Sequence, residues 1–423
     1  MRASFHTLGC RLNQAETALA ADDLSRNGYE IVPWGEAADV LVINSCAVTG
    51  VASQKTRQAY RAARRKFPDA FIVLMGCDAN VDDWPDDGPD LIVPHPAPAP
   101  LSILIPPSFS ESSEKIYMEP GTPLDDFTIE GAARFAGRTR ANLKIQDGCS
   151  FFCSYCIVPY TRGPARSRER EDVLREAREL ISDGFKELVL CGVNLTTYES
   201  DGCDLADLVG EIAALDGDFR IRIGSAEPSP VIPKVVELMR HGTRICRFLH
   251  LPLQYGEDTI LGRMRRHYSA SEYAEMASDA CLRIPGLCLG ADVITGFPGE
   301  TDATFETCRE FIESLPFGLL HVFPYSPRPG TDAASYKPKV PTKLSNARAA
   351  VLSELGARKA SAFAVSQIGK TLQVLVEEEK PASGWSDNYL HVTFNSPHPK
   401  NSIVPAKITA APGGRELRVA ECG

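Results

Sequence analysis

The chain has 423 residues, 43% of them hydrophobic, and a formal net charge of −10. This length predicts about three domains with ample core, and the acidic balance excludes indiscriminate coating of nucleic acid, so that any RNA contact has to come from local basic patches. The odd number of cysteines, 13, argues against a secreted disulfide framework, and no apolar run suits a membrane span or secretory leader, so we expect a soluble cytoplasmic protein without a membrane partner.

Residues 1–80 alternate between apolar strands and amphipathic helices, a pattern that predicts a parallel, doubly wound sheet. The predicted strands cover residues 4–9, 39–44 and 70–75, and the predicted helices cover residues 13–27 and 53–66. A cysteine follows each strand, namely Cys10, Cys46 and Cys77 (the amino-terminal triad). Because the carboxyl ends of parallel strands share one edge, we expect the three thiols to meet there. The alternative is three core cysteines that happen to end strands.

The helix predicted at 53–66 has a strongly positive face, with six bases and no acid between residues 55 and 66. It is either a phosphate-binding surface or a solvated surface helix. Residues 82–130 are rich in Pro, Asp and Ser, which is typical of linkers and surface loops, with one short strand predicted at 90–93. We therefore expect a first domain at 1–130, of which 82–130 is partly linker.

Six strand-like segments alternate with helices over residues 135–365, which predicts an open, partial (β/α)6 TIM barrel. The strands are predicted at 141–145, 187–191, 220–224, 247–251, 287–295 and 319–325, and helices at 169–183, 233–241, 271–283 and 301–315. A long helix at 343–367 carries an apolar stripe suited to the barrel rim. Function in such barrels lies at the carboxyl ends of the strands. The loop after the first strand carries Cys149, Cys153 and Cys156 (the central triad).

The central triad lies on a loop introduced by Gly148, and its spacing lets three thiols surround one soft metal centre. A structural zinc site needs four closed ligands, and no histidine lies near in sequence to complete one. A cubane iron–sulfur cluster held by three thiolates instead leaves one iron open for a small molecule. The alternatives are a zinc site completed from far away and unrelated buried thiols.

The CxxxCxxC spacing of the central triad resembles that of the radical S-adenosylmethionine (SAM) enzymes. Further motifs resemble the methylthiotransferases of that superfamily, over nearly the whole chain apart from residues 82–134. These motifs are Asp147–Cys149, Val158–Gly163, His250–Gln254, Ile294–Glu300 and His321–Ser326. Gly9–Glu16 and Gly384–Val392 have the form of the branch that acts on threonylcarbamoyladenosine in tRNA.

The resemblance implies two 4Fe-4S clusters with different roles. The central triad would hold the cluster that binds SAM at its open iron and cleaves it to a 5′-deoxyadenosyl radical. The amino-terminal triad would hold an auxiliary cluster that delivers sulfur for a methylthio group at C2 of an adenine next to the anticodon. No acid or base can usefully deprotonate this aromatic C–H bond, so a one-electron cofactor is required. The implied partners are tRNA, SAM, an electron donor and a sulfur donor of unknown identity.

The ends of the other barrel strands are where we expect SAM to bind, because small residues and carbonyls there can accept its amino group and ribose hydroxyls. The candidates are Gly192, Asn194, Ser225, Glu227, Gln254 and Thr295. Tyr155 resembles the aromatic residue that packs on adenine in this superfamily. A tight turn is the alternative role of Gly192.

Three arginines just after the central triad either neutralise tRNA phosphates or pair with neighbouring acids. The arginines are Arg162, Arg166 and Arg168, and the acids are Glu169, Glu171 and Asp172. The seven other cysteines are expected to be buried or incidental: Cys191, Cys203, Cys246, Cys281, Cys288, Cys308 and Cys422. His6, His250 and His321 are expected to be core histidines.

Strands predicted at 370–376, 388–394, 403–408 and 417–419 indicate a small, antiparallel, five-stranded β-barrel at 366–423. It resembles the RNA-binding TRAM domain, and Trp385, Tyr389 and Phe394 are candidates for stacking on bases. Because acids and bases balance there, a purely structural barrel is the alternative.

The leading hypothesis is therefore a threonylcarbamoyladenosine tRNA methylthiotransferase. One alternative is a sister branch that acts on isopentenyladenosine in tRNA or on a ribosomal-protein aspartate. The other is a non-catalytic, RNA-binding iron–sulfur protein in which the metal only stabilises the fold.

Overall fold

A computed structural model of the chain describes residues 1–81, 84, 88–106, 116–117, 126–134, 138–242 and 244–419. Much of the linker predicted at 82–130 lies outside the described residues, and so does Cys422. None of the described helices combines the length and apolarity that crossing a bilayer requires.

The amino-terminal sheet has six strands within the described residues, and every neighbouring pair is parallel. They are β1 (Arg2–Thr7), β2 (Glu30–Val32), β3 (Val40–Ser45), β4 (Phe71–Gly76), β5 (Leu91–Ile92) and β6 (Ile116–Tyr117), in the spatial order β2-β1-β3-β4-β5-β6. The helices are α1 (Arg11–Arg26), α2 (Gly50–Lys66) and α3 (Leu101–Leu104). Successive strand residues point to opposite faces, so Val42 packs with Leu24 of α1 whereas Ile43 packs with Tyr60 of α2. Helices on both faces confirm the doubly wound sheet.

The central region contains the six predicted barrel strands and several short ones. In chain order its strands are β7 (Asp126–Phe127), β8 (Arg140–Lys144), β9 (Gln146–Asp147), β10 (Arg166–Arg168), β11 (Glu187–Cys191), β12 (Glu199–Ser200), β13 (Cys203–Asp204), β14 (Arg220–Ile223), β15 (Phe248–His250), β16 (Cys288–Thr295) and β17 (Phe317–Pro324). Parallel β8-β11-β14 and parallel β15-β16-β17 are joined by bridges Ile221–Ile245 and Ser225–His250. This arrangement confirms the open, partial barrel.

Eight helices cover the central region of the described chain, and α11 packs along β17. They are α4 (Val158–Arg162), α5 (Arg170–Ser182), α6 (Leu205–Ala213), α7 (Ile232–His241), α8 (Asp258–Met264), α9 (Ala270–Arg283), α10 (Asp302–Ser314) and α11 (Thr342–Val365). Helices α4, α6 and α8 were not predicted, because five to nine residues are too few for a clear helical period. The capping box of Asp204 and Asp207 was the signal available for α6.

The carboxyl-terminal strands close into the predicted five-stranded barrel. They are β18 (Thr371–Glu379), β19 (Ala382–Ser386), β20 (His391–Thr393), β21 (Ile403–Gly413) and β22 (Glu416–Val419). All pairs are antiparallel except β20 with β22. Phe394 is buried in the barrel core, so the prediction that it stacks on bases is wrong. Trp385 stacks on Tyr389, which packs on Phe248 of the central barrel.

The carboxyl-terminal barrel is docked on the amino ends of the central strands through a buried ion cluster. Glu187 accepts from Nε of Arg220 at 2.6 Å and from Nε of Arg222 at 2.7 Å. Arg220 also donates to the carbonyls of Gln373 and Trp385, both at 2.9 Å. The opposite, carboxyl ends of the strands are therefore left for the site.

Candidate functional site

The central triad lies on the loop between β9 and α4. Gly148 enters this loop with a φ of +66°, and a Cβ added there would lie 1.8 Å from the carbonyl oxygen of Pro164, so the position requires glycine. The loop turns back because the Cys149 amide donates to the Gly163 carbonyl at 3.1 Å. The pKa of Cys149 is raised to about 11 and that of Cys156 to about 12, mainly by burial and in part by neighbouring thiols of the triad. The structure thus brings the three thiols within electrostatic reach of one another.

A cavity of about 300 Å³ (the central cavity) opens beside the central triad at the carboxyl ends of the strands. The predicted SAM contacts that line it are Tyr155, Asn194, Ser225, Glu227 and Gln254. Gly192 and Thr295 are not among its lining residues. A Cβ on Gly192 would lie 2.8 Å from Oε1 of Gln146, and the Thr295 hydroxyl donates to the Ser345 carbonyl at 3.1 Å. Gly192 instead lines a neighbouring cavity, described below.

Arg266, just beyond α8, is a cavity residue that the sequence analysis missed. Its guanidinium donates to Sγ of Cys153 at 3.2 Å and to Oη of Tyr155 at 3.4 Å, and it forms an ion pair with Glu227. Burial raises the pKa of Glu227, against the opposing effect of this cation. Since 113 residues separate Arg266 from Cys153, no local pattern could have indicated the contact.

The amino-terminal triad gathers at the edge of its sheet as the topology requires. Cys10 precedes α1, and Cys46 and Cys77 directly follow β3 and β4. Gly9 has a φ of +102°, and a Cβ there would lie 2.8 Å from Cβ of Cys46, so glycine lets the two loops approach. The pKa of Cys46 is raised to about 11, mainly by burial and in part by the thiols of Cys77 and Cys10.

In neither triad do all three sulfurs lie within 4.8 Å of one another. Three sulfurs around one zinc, each at about 2.3 Å from the metal, would lie roughly 4 Å apart. Two groups of His, Cys, Asp and Glu in the described chain have ligand atoms within 4.8 Å of one another, and neither includes a cysteine triad. Thiolates are the ligands of iron–sulfur clusters. Both triads therefore fit the larger iron–sulfur group.

A buried arginine connects the two triads. Nε of Arg162 donates to Sγ of Cys77 at 3.1 Å, and its Nη atoms bind Glu16 at 2.7 Å and Asp147 at 3.0 Å. Nη2 also donates to Oδ1 of Asn13, 3.2 Å away. Because Asp147 introduces the central loop, one guanidinium links the supports of both triads.

Two roles were open for the three arginines after the central triad, and burial of Arg162, Arg166 and Arg168 excludes the first of them, contact with tRNA phosphates. Of the acids proposed as their partners, Asp172 pairs with Arg168 at 2.7 Å. Glu171 pairs instead with Arg170 in the described ion pairs. Arg162 thus belongs to the domain junction, whereas Arg168 is buried within the central region.

A second cavity of about 310 Å³ (the junction cavity) lies where Cys10 and the start of α1 meet strands of the central barrel. Its lining includes Cys10, Arg11, Cys191, Ser225, His250, Asp292, His321 and Tyr389. Ser225 and Asp292 line the central cavity as well, so the two cavities adjoin. Cys10 of the amino-terminal triad thus lies on a cavity that adjoins the cavity beside the central triad.

Of the three histidines expected in the core, His250 is buried, whereas His6 and His321 are not. His250 is buried, but its Nε2 pairs with Asp292 at 3.1 Å, and half-exposed His321 pairs with the other oxygen of Asp292 at 3.2 Å. These histidines hold the pKa of Asp292 below its usual range although burial alone would raise it. His6 stacks on Trp34 and is only partly buried. Two of the three therefore belong to the cavity wall.

The basic face of α2 lines a surface groove of about 370 Å³. The groove is formed by Gly50, Ser53, Gln54, Arg57, Gln58, Arg61 and Arg328. The Gly50 amide donates to Oγ of Ser326 at 3.1 Å, and Ser326 and Thr49 line the central cavity. The groove therefore leads to the mouth of that cavity.

Comparisons with known proteins agree with this arrangement. Residues 143–312 match the radical SAM superfamily, and residues 2–85 match the uncharacterized protein family UPF0004. The threonylcarbamoyladenosine tRNA methylthiotransferase MtaB of Bacillus subtilis is 36% identical over 96% of this chain and 94% of its own. The tRNA-2-methylthio-N(6)-dimethylallyladenosine synthase of Anaplasma phagocytophilum is 33% identical over 90% and 87%. Among solved structures, the radical SAM methyltransferase TsrM of Kitasatospora setae shares the fold, with a TM-score of 0.55 and 15% identity over 78% of this chain and 76% of its own.

Proposed function

The chain belongs to the radical SAM methylthiotransferases, and we propose that it adds a methylthio group to C2 of N6-threonylcarbamoyladenosine next to the anticodon of tRNA. Relatives named for this nucleoside reach 36% identity, whereas those named for dimethylallyladenosine reach 33%. The observation that carries the proposal is that the central triad lines one cavity and Cys10 of the amino-terminal triad lines an adjoining one, the two sharing Ser225 and Asp292.

We propose that the central triad and the amino-terminal triad each hold one 4Fe-4S cluster. When bound, the two clusters supply one-electron cleavage of SAM and sulfur for transfer, chemistry that no side chain of the chain can supply. Three thiols per cluster leave one iron of each without a protein ligand. In this proposal the target adenine enters the junction cavity, between the two sources of reactivity.

The residues of the central cavity are suited to hold SAM. Glu227 and Gln254 offer oxygen atoms to its amino group, and Asn194 and Ser225 offer polar groups to the ribose hydroxyls. Tyr155 supplies an aromatic face for the adenine. Phe151 and other apolar residues of the wall limit the access of water to the reacting atoms.

The groove on α2 is suited to bind the tRNA backbone. Arg57 and Arg61 are exposed there, and the groove ends at the mouth of the central cavity. Phosphate contacts position a nucleic acid without reading its sequence. The target base would then enter the site out of its stack, as bases do in other enzymes that modify them. An electron donor and a sulfur donor complete the set of partners.

Mass spectrometry of tRNA nucleosides tests the proposal. A strain lacking the gene should lose the methylthio derivative of threonylcarbamoyladenosine and regain it with the wild-type gene, but not with Cys153→Ala or Cys46→Ala. The sister branch that acts on isopentenyladenosine is the second candidate, because the chain is 33% identical to a dimethylallyladenosine synthase. Loss of the methylthio derivative of isopentenyladenosine alone would establish that branch. A non-catalytic protein would form no 5′-deoxyadenosine from SAM and dithionite after anaerobic reconstitution.

A further inference from the structure

Arg11 is a half-buried cation at the boundary between the two triads. It follows Cys10 directly, begins α1 and lines the junction cavity. Nη2 donates to Oη of Tyr389 at 2.8 Å, and the guanidinium carbon lies 5.4 Å from the centre of that ring. No carboxylate of the described residues forms an ion pair with it. Its charge is therefore available to an anion that enters the cavity.

The other charges of the junction cavity do not cancel this cation. Asp292 is the acid among its lining residues, and both of its carboxylate oxygens are bonded to histidines. Glu377, which lies on the outer side of Arg11, accepts from Nε of Arg140 at 2.7 Å. A carboxylate that enters the cavity would thus meet the guanidinium of Arg11, which has no ion pair within the described residues. Tyr389 holds this guanidinium through one N–H group and leaves other N–H groups free to donate.

We propose that Arg11 binds the carboxylate of the substituent on N6 of the target adenine and so selects threonylcarbamoyladenosine over adenosines with a neutral substituent. The inference rests on the proposed function and extends it to substrate choice. A guanidinium matches a carboxylate with two parallel N–H bonds. The position of Arg11 next to Cys10 agrees with this role. C2 of the adenine has to face the amino-terminal triad, so that the substituent on N6 extends beside the triad, towards Arg11. The cavity volume, about 310 Å³, is at the lower limit for small-molecule pockets and suits a substituted base.

The test compares two anticodon stem–loops, one carrying threonylcarbamoyladenosine and one carrying its methyl ester, which removes the negative charge. The reconstituted holoenzyme should favour the free acid by roughly 10- to 100-fold in kcat/KM, as expected for a hydrogen bond to a charged group. Arg11→Gln should lose this preference by slowing the reaction of the free acid alone. Arg11→Lys, which keeps the charge without the planar fork, should retain part of it. Arg26→Gln, an exposed arginine on the same helix, should behave like wild type.

Iron content and 5′-deoxyadenosine formation are measured for every variant and should equal wild type, which separates substrate choice from folding. If Arg11→Gln slows both stem–loops equally or keeps the preference for the free acid, Arg11 only fixes Tyr389 and the inference is wrong. If the wild-type enzyme modifies an isopentenyladenosine stem–loop and neither threonylcarbamoyl substrate, the proposed function itself fails, and the inference fails with it.

Discussion

Replacing Arg162 with glutamine should destabilise the protein strongly, because this guanidinium neutralises two buried carboxylates at once. Arg162 is 2% exposed and binds Glu16 and Asp147, which are themselves buried. Removing one partner of a buried ion pair costs about 3–5 kcal/mol. In the variant, Lys144 still lies 2.9 Å from Glu16 and 2.6 Å from Asp147 and neutralises part of their charge. We therefore expect the free energy of unfolding to fall by about 3 kcal/mol, the lower end of this range.

The assay is urea denaturation of the cluster-free protein under reducing conditions, followed by far-ultraviolet circular dichroism. Arg358→Gln is the matched control, since Arg358 is exposed and its nearest acids lie 3.8 and 3.9 Å away; its free energy of unfolding should change by less than about 0.5 kcal/mol. If Arg162→Gln lowers the free energy of unfolding by less than about 1 kcal/mol, Arg162 does not stabilise the domain junction as proposed.

In the reconstituted protein the same variant should lower the midpoint potential of the cluster on the amino-terminal triad, because it removes the N–H bond to Sγ of Cys77.

Three further predictions concern the barrel, the central loop and the groove. Two buried arginines hold the pKa of Glu187 below its ordinary 4.5 against the effect of burial, so its contribution to stability is present above pH 4.5 and is lost as the pH falls towards the lowered value. Acid titration of the unfolding free energy should therefore be flatter for Glu187→Gln than for wild type. Gly148→Ala should reduce iron bound at the central triad to a small fraction, as measured by iron analysis, since its Cβ would meet the Pro164 carbonyl; unchanged iron would contradict the glycine requirement. Arg61→Gln should weaken tRNA binding uniformly across tRNA sequences and reduce the salt slope by about 1 in fluorescence anisotropy titrations, and an unchanged slope would exclude the α2 groove.

The sequence was sufficient to predict elements whose apolar pattern extends over many residues and which alternate regularly as strand and helix. β11 agrees with the prediction residue for residue, and the other barrel strands differ from it by one to three residues at their ends. The amino-terminal triad was predictable because parallel strands deliver their carboxyl ends to one edge, and the central triad because its three cysteines lie on one short loop. By contrast, β19 was missed, because alanine, serine and glycine have little strand propensity and closure of the barrel decides its pairing.

The parts that could not be predicted are contacts between residues far apart in the chain. Arg162 looked like a surface cation beside acidic neighbours, yet it meets Glu16 across the domain junction. Arg266 reaches Cys153 from the far side of the barrel. Thr295 stands at a strand end like the residues of the central cavity, but Ser345 occupies its hydroxyl. The sequence pattern predicts at which edge of a sheet a residue lies. The direction of its side chain depends on tertiary packing, which the pattern does not contain.

Iron counting in cysteine variants tests most directly whether two separate clusters lie on the two triads. Anaerobically reconstituted wild-type protein should bind about eight irons per chain, that is, two clusters of four. The variant with all three cysteines of the amino-terminal triad changed to alanine should keep about four irons and still cleave SAM, and the corresponding variant of the central triad should keep about four and cleave none. Wild-type iron content after removal of either triad would contradict the account.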